Sequence, residues 1–389
     1  MKIGIVTFWE TSDNYGQVLQ GFALQTFLNS LGHESYIIRY DHNGRDKYKK
    51  HKTLRRICKV LLVWPLLKYL KERRQVEKDR ALTEYSQKRN EERRFDDFRN
   101  RHFQYSDVIY RSLEELQKNP PKADAYIAGS DQIWGKSWLL DKRENEALFL
   151  NFGPETTRRI AYAPSFSMLE YPGKCRKALK RQLARFDALS VRESTGVAIC
   201  ESVGFHAEWV CDPTFLLQAI VYEKLLSSKP QKPFLYVYCL NIKSEKEIGW
   251  DSITLLSKKK NLDVRVTVAS GYFGALELFN NVDYDYATVE GWLANVKYAE
   301  IVFTTSFHGV VFCILFHKKF VFYPLNGTYS AGNDRVLGLL ERLGLSSQVY
   351  HGADSIDSIY NNEINWDKVE EEIDEFRNSS KQYLIDNLY

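Results

Sequence analysis

No apolar run in this 389-residue chain approaches the roughly 20 residues that a membrane-spanning helix needs. The longest, Val60 to Leu67, is far shorter. The opening MKIGIVTFWE has one lysine, a short apolar stretch and no small-residue cleavage site, so it is read as a first strand, not a secretory signal. Six cysteines (Cys58, Cys175, Cys200, Cys211, Cys239, Cys313) are scattered, with no C-x-x-C and no closely spaced Cys/His set. A chain this long folds without disulfides, so reduced thiols and a cytoplasmic location are expected. There is no P-loop, no G-x-G-x-x-G, no H-E-x-x-H and no G-x-S-x-G. Nucleotide hydrolysis, dinucleotide redox chemistry and serine-hydrolase chemistry lose their usual support.

Charge of either sign is also in short surplus: 54 basic residues against 50 acidic ones leave +4, too little to argue for nucleic acid. The distribution is uneven. Residues 45–74 carry twelve Lys/Arg against Asp46 and Glu72, which makes one segment strongly cationic on a mildly acidic body. Aromatic residues are plentiful at 14%, rings suited to stacking on sugars, although most must be core.

Short β-rich apolar runs alternate with helical patterns, which points to α/β architecture with parallel sheets. Lys2–Phe8 is expected as a strand, followed by a helix in which Leu24, Phe27, Leu28 and Leu31 keep helical spacing, and by the strand Ser35–Tyr40. Residues 45–103 interrupt the alternation as a helical insertion, two long basic helices around Pro65. Strands resume with Ala123–Ala128, Arg159–Tyr162, Ala188–Val191 and Ala207–Val210. A polar, Pro-containing stretch near 227–233 marks a boundary between a first unit, 1–217, and a second, 234–389. The second contributes Phe234–Leu240, Val264–Val268, Glu300–Thr304 and Phe320–Tyr323, and a final helix from about Trp366 that packs back. Two doubly wound units facing a cleft are expected, with ligands beyond the carboxyl ends of the strands.

Four constellations lie at such ends. In Thr304-Thr305-Ser306-Phe307-His308-Gly309, a strand opens into an apolar helix. Ser306 or Thr305 caps it, the first-turn N–H groups near Phe307, His308 and Gly309 make an anion site, and His308 stands beside it as a proton donor. The plain alternative is a capped helix with a packed histidine. Ser190-Val191-Arg192-Glu193-Ser194 offers the Arg192 guanidinium as a fork for carboxylate or phosphate, against a salt bridge to Glu193 or another neighbour. Arg335, at the start of a late helix, is a weaker candidate of the same kind. The amides of Asn14, Gln17 and Gln20, and the pair Asp131 and Trp134, are groups that grip sugars; loop and turn capping is the alternative for both. The sequence Asp283-Tyr284-Asp285 looks like a metal-binding acidic pair but is expected by chance in a chain of this size, and no metal site is assigned.

Taken together, IGIVTF with DNYGQVLQ, AYIAGSDQIW, IAYAPSF, LSVRES, CDPTFLL and IVFTTSFHGVVFCILFHKKF, in this order from residue 3 to 320, resemble the polysaccharide pyruvyl transferase family. The resemblance implies two Rossmann-like domains of the GT-B kind. It also implies transfer of pyruvate from phosphoenolpyruvate to two hydroxyls of one sugar, as a cyclic ketal, without a cofactor. By the family pattern His308 is the general acid/base and Arg192 binds the donor; Ser306, Phe307, Gly309 and Arg335 are further donor-side candidates. Many members carry Ser-Arg-Leu-His-Gly at the histidine. Here Ser306 and Phe307 precede His308, the motif arginine is absent, and Arg335 is the candidate to replace it. The rival reading is a GT-B glycosyltransferase using a nucleotide sugar, which shares the fold; a non-enzymatic sugar-binding protein is a third. For the segment 45–74, a solvated helical hairpin stands against a patch that meets anionic lipid at the inner membrane face, near a lipid-linked saccharide acceptor.

Overall fold

The computed structural model describes residues 1–9, 14–41, 91–135, 144–242, 244–267 and 278–389. The cationic stretch 45–74, and with it the two-helix expectation around Pro65, lies outside the described residues. No described helix is long and apolar enough to cross a membrane.

Among the described residues, twelve strands form two parallel sheets. The first has seven: β1 (Lys2–Val6), β2 (Glu34–Tyr40), β3 (Tyr105–Tyr110), β4 (Ala125–Ala128), β5 (Arg158–Ala161), β6 (Ala188–Val191) and β7 (Glu208–Trp209). Their order is β3-β2-β1-β4-β5-β6-β7. The second has β8 (Phe234–Tyr238), β9 (Asp263–Val266), β10 (Asp283–Tyr284), β11 (Ile301–Thr304) and β12 (Phe320–Phe322), ordered β10-β9-β8-β11-β12. Strands β1, β11 and even the edge strand β12 are buried at nearly every position, which is why IGIV, IVFT and FVF read as apolar runs instead of alternating ones. The registers Val6↔Ala128, Val191↔Trp209 and Thr304↔Tyr238 bring strand carboxyl ends level within each sheet. This is the doubly wound α/β class that the alternation implies.

Sequence periodicity passes over β3 and the short helix Leu113–Lys118 that follows it. The strand is at the sheet edge, so Asp107 and Val108 face outward and the apolar run is broken. Of the proposed insertion, the helix Phe95–His102 is described, and it buries Phe95 and Phe98 against the first helix, Tyr15–Ser30. Asp283 and Asp285 are held by protein donors, Arg265 Nε at 3.1 Å and Asn295 Nδ2 at 2.6 Å, so both carboxylates serve the β9–β10 edge.

One apolar core runs through both halves, from Tyr15 and Phe22 to Trp292 and Phe312. The final helix, Trp366–Leu388, buries Val369, Ile373, Phe376, Tyr383, Leu384 and Leu388 along one stripe. It bonds to the first half: Ser380 Oγ accepts from Cys211 N at 2.8 Å, Arg377 Nε donates to Phe215 O at 2.7 Å, and Tyr383 Oη donates to Ala161 O at 3.0 Å.

Candidate functional site

The site begins where β11 turns into the helix Phe307–Leu315. Thr304 Oγ1 donates to Tyr238 O at 2.6 Å and accepts from Ser306 N at 3.0 Å, fixing the turn. Ser306 is the N-cap, its Oγ accepting from Gly309 N at 3.2 Å. The N–H groups of Phe307 and His308 have no partner inside the helix, as in any first turn. A methyl at Gly309 would overlap Thr304 Oγ1, so only glycine lets the helix start this close to its own strand. His308 is buried, and its imidazole lies against Gly16 in the first helix, where a methyl group would overlap the ring. A glycine in the first half thus makes room for a histidine from the second.

Beyond β6, Arg192 is fully enclosed. Its Nη1 donates to Asp212 Oδ2 at 2.7 Å and its Nη2 to Asp131 Oδ1 at 3.4 Å. Asp212 Oδ1 is held by Thr214 N and Thr214 Oγ1, at 3.0 and 2.7 Å, while Ser130 Oγ lies 3.5 Å from Oδ2. The Nε2 atom of His308 stands 3.5 Å from the same Oδ2. Burial alone would raise the pKa of Asp212, but His308 and Arg192 outweigh it and hold the carboxyl far below the usual range. For Arg192, burial lowers the pKa, but Asp212 and Asp131 overcome it and the net direction is up. Glu193, the expected salt-bridge partner, does something else: its Oε1 accepts from Ser165 Oγ, Phe166 N and Ser167 N at 2.9, 2.7 and 3.1 Å and pins the loop after β5.

Phe307 lies between two cations. The guanidinium carbon of Arg192 is 4.7 Å from its ring centroid and that of Arg335 is 5.5 Å away. His308 Nε2, Arg192 Nε and Asp131 Oδ2 are buried and make no hydrogen bond among the described residues. Two of these atoms, His308 Nε2 and Arg192 Nε, belong to side chains packed against the Phe307 ring, and Asp131 joins them through Arg192.

The expected sugar-gripping residues divide. Asp131 faces Arg192, inside the cluster. Asn14 caps the first helix, accepting from Gln17 N at 3.2 Å. Gln20 is enclosed; it donates to Thr7 Oγ1 at 3.1 Å and Gln17 O at 2.9 Å and accepts from Ser130 N at 3.3 Å, tying the β1 and β4 loops together. Gln17 is partly exposed at a narrow crevice with Trp9 and Arg99. Trp134 is not a sugar platform. It is 1% exposed, stacked on Phe149 at 4.9 Å, with its N–H spent on Leu148 O at 3.1 Å, so neither face is open. Asp212 is the residue that sequence reading passes over. The signal was an Asp-Pro step just past β7, the strand paired with β6, beyond which Arg192 lies.

The family model for polysaccharide pyruvyl transferases matches residues 14–326, and so spans the His308 turn, Arg192 and Asp212. The chain belongs to this family. Among curated proteins none matches in sequence. Similar solved structures include the UDP-GlcNAc 2-epimerase of Neisseria meningitidis bound to UDP-GlcNAc, at 10% identity and a TM-score of 0.48, covering 100% of this chain and 99% of that one. The UDP-GlcNAc 2-epimerase of Methanocaldococcus jannaschii gives 10% and 0.49, over 95% and 98%. A calicheamicin glycosyltransferase gives 12% and 0.45, over 98% and 94%. At these identities the likenesses say nothing of substrate or reaction.

Proposed function

We propose that this family member moves pyruvate from phosphoenolpyruvate to two hydroxyls of one saccharide, a hexose such as galactose in a surface-polysaccharide precursor. The product is a cyclic ketal, and phosphate is released. The observation that carries the reading is His308 standing against the buried Arg192–Asp212 pair where strand ends of both sheets converge. His308, protonated, gives its proton to the methylene carbon of the donor; the double-bond electrons form the new C–H bond and leave a cation-like centre at C2. One sugar hydroxyl attacks C2 and passes its proton to the now neutral His308. The C2–O bond to phosphate breaks, the electron pair leaves with phosphate, and the second hydroxyl closes the ring as its proton goes to the departing phosphate. Arg192 and the first turn of the His308 helix favour the donor's carboxylate and phosphate. Asp212, kept ionised, holds the charge of Arg192 and faces the imidazole. Gln17 and Asp131 are proposed on the acceptor side. The acceptor itself is a saccharide that a lipid anchor would present at the inner membrane face, a reading supported by the cationic sequence of residues 45–74.

The test is a folded His308→Ala protein with phosphoenolpyruvate and a panel of galactosides. A general acid/base contributes about 10²–10⁴-fold, so transfer falls by that factor while the fold persists. Turnover near the wild-type rate would remove His308 from the chemistry.

A further inference from the structure

The two guanidinium groups beside Phe307 are not equally satisfied. Arg192 is neutralised by two buried carboxylates, Asp212 and Asp131. Arg335 has only uncharged acceptors: its Nε donates to Gly332 O at 3.1 Å, and its two terminal nitrogens meet the side chain of Gln132, whose amide oxygen accepts from both. Among the described residues no carboxylate comes within ion-pairing distance of it. Burial first, and then the neighbouring Arg192, lowers its pKa to about 10, outweighing the more distant Asp131, Glu193 and Asp212. A partly buried guanidinium between a ring, a second guanidinium and neutral oxygens suits an anion.

Independent observations point to the same place. Arg192 Nε is more than nine-tenths buried and lacks a hydrogen-bond partner among the described residues, and the equally buried His308 Nε2 meets only Asp212 Oδ2, at 3.5 Å. The His308 ring lies 5.2 Å from that of Phe307, so His308, Arg192 and Arg335 all pack around one ring.

The way Arg335 reaches this ring is also specific. It is the second residue of the helix Asp334–Arg342, in the second half of the molecule. The residue before it, Asp334, accepts a hydrogen bond from Thr195 Oγ1 at 2.6 Å. Thr195 is in the first turn of the helix Ser194–Glu201, directly after Arg192 and Glu193. One bond between the halves therefore sets the Arg335 helix against the strand end that bears Arg192.

We propose that Arg335 receives the anionic group of the donor and that the Thr195–Asp334 bond is the latch that positions it, so the anion site is complete only when both halves are held together. The ligand chemistry is a phosphate or a carboxylate; its identity as phosphoenolpyruvate rests on the function proposed above.

Calorimetric binding of inorganic phosphate, and separately of phosphoenolpyruvate, to the full chain tests this. Losing a charged hydrogen-bonding partner should weaken binding about 10- to 100-fold in Arg335→Gln, with partial recovery in Arg335→Lys. Thr195→Val should weaken it by a smaller factor, raising the donor KM more than it lowers kcat, and Thr195→Ser should restore it. A folded Arg335→Gln protein with wild-type anion affinity overturns the proposal. Equal losses in Thr195→Val and Thr195→Ser overturn the latch. Wild-type protein that binds phosphate through Arg335 but ignores phosphoenolpyruvate supports this inference and defeats the pyruvyl-transfer reading, whereas binding of neither anion defeats both.

Discussion

Gly16 and Asp212 show how single residues set the histidine. A side chain at Gly16 must push the His308 imidazole aside, and a displacement on the order of 1 Å can cost about 10²-fold in rate. Gly16→Ala is therefore expected to lower kcat by about 10- to 100-fold while the melting temperature changes little, which steady-state kinetics and a thermal scan will check. Asp212→Asn breaks a buried ion pair and should destabilise the protein by about 3–5 kcal/mol at neutral pH. The pH dependence has a definite sign. The carboxyl pKa is depressed in the folded state, so its contribution is present above the unfolded value of about 4 and is lost as pH falls below it. Denaturant titrations should show the gap between wild type and Asp212→Asn full at pH 7 and closing below about pH 4. The His308 cap was legible in the sequence, because a Ser-x-x-Gly turn between a strand and an apolar helix is a local pattern. Asp212 and Gly16 were not, because each matters only through a neighbour far along the chain.

At the scale of the element, legibility followed burial. Strands covered on both faces, such as β6 and β11, show themselves as mostly apolar runs, whereas the edge strand β3, exposed at Asp107 and Val108, is broken in the middle and slips past. The same rule explains Trp134, which sequence places on a loop beside an aspartate. Packing turns it inward onto Phe149, Phe166 and Phe186. Trp134→Ala should cost about 3–5 kcal/mol of stability in denaturant unfolding. The milder Trp134→Phe should leave the acceptor KM unchanged, as a ring that never meets the sugar requires.

Across the whole molecule, the two sheets are joined by a shared core, by the Tyr15 hydroxyl donating to Ala287 O at 2.6 Å, and by the final helix bonded to the first half. The alternation of strands and helices made this doubly wound plan readable. That His308, Arg192 and Arg335 share one cleft was expected from their strand ends and the family resemblance; their contacts through Phe307 and Asp212 were not, because those depend on how the halves dock. Pyruvyl transfer by a protonating histidine leaves a mark that no glycosyl transfer leaves. With wild-type protein, phosphoenolpyruvate and a galactoside in deuterated water, the expected result is one phosphate per ketal formed, with a single deuterium in the ketal methyl group by NMR and mass spectrometry. A protein that leaves phosphoenolpyruvate and every glycoside untouched, but joins a sugar from a nucleotide donor to the same acceptors, would contradict it.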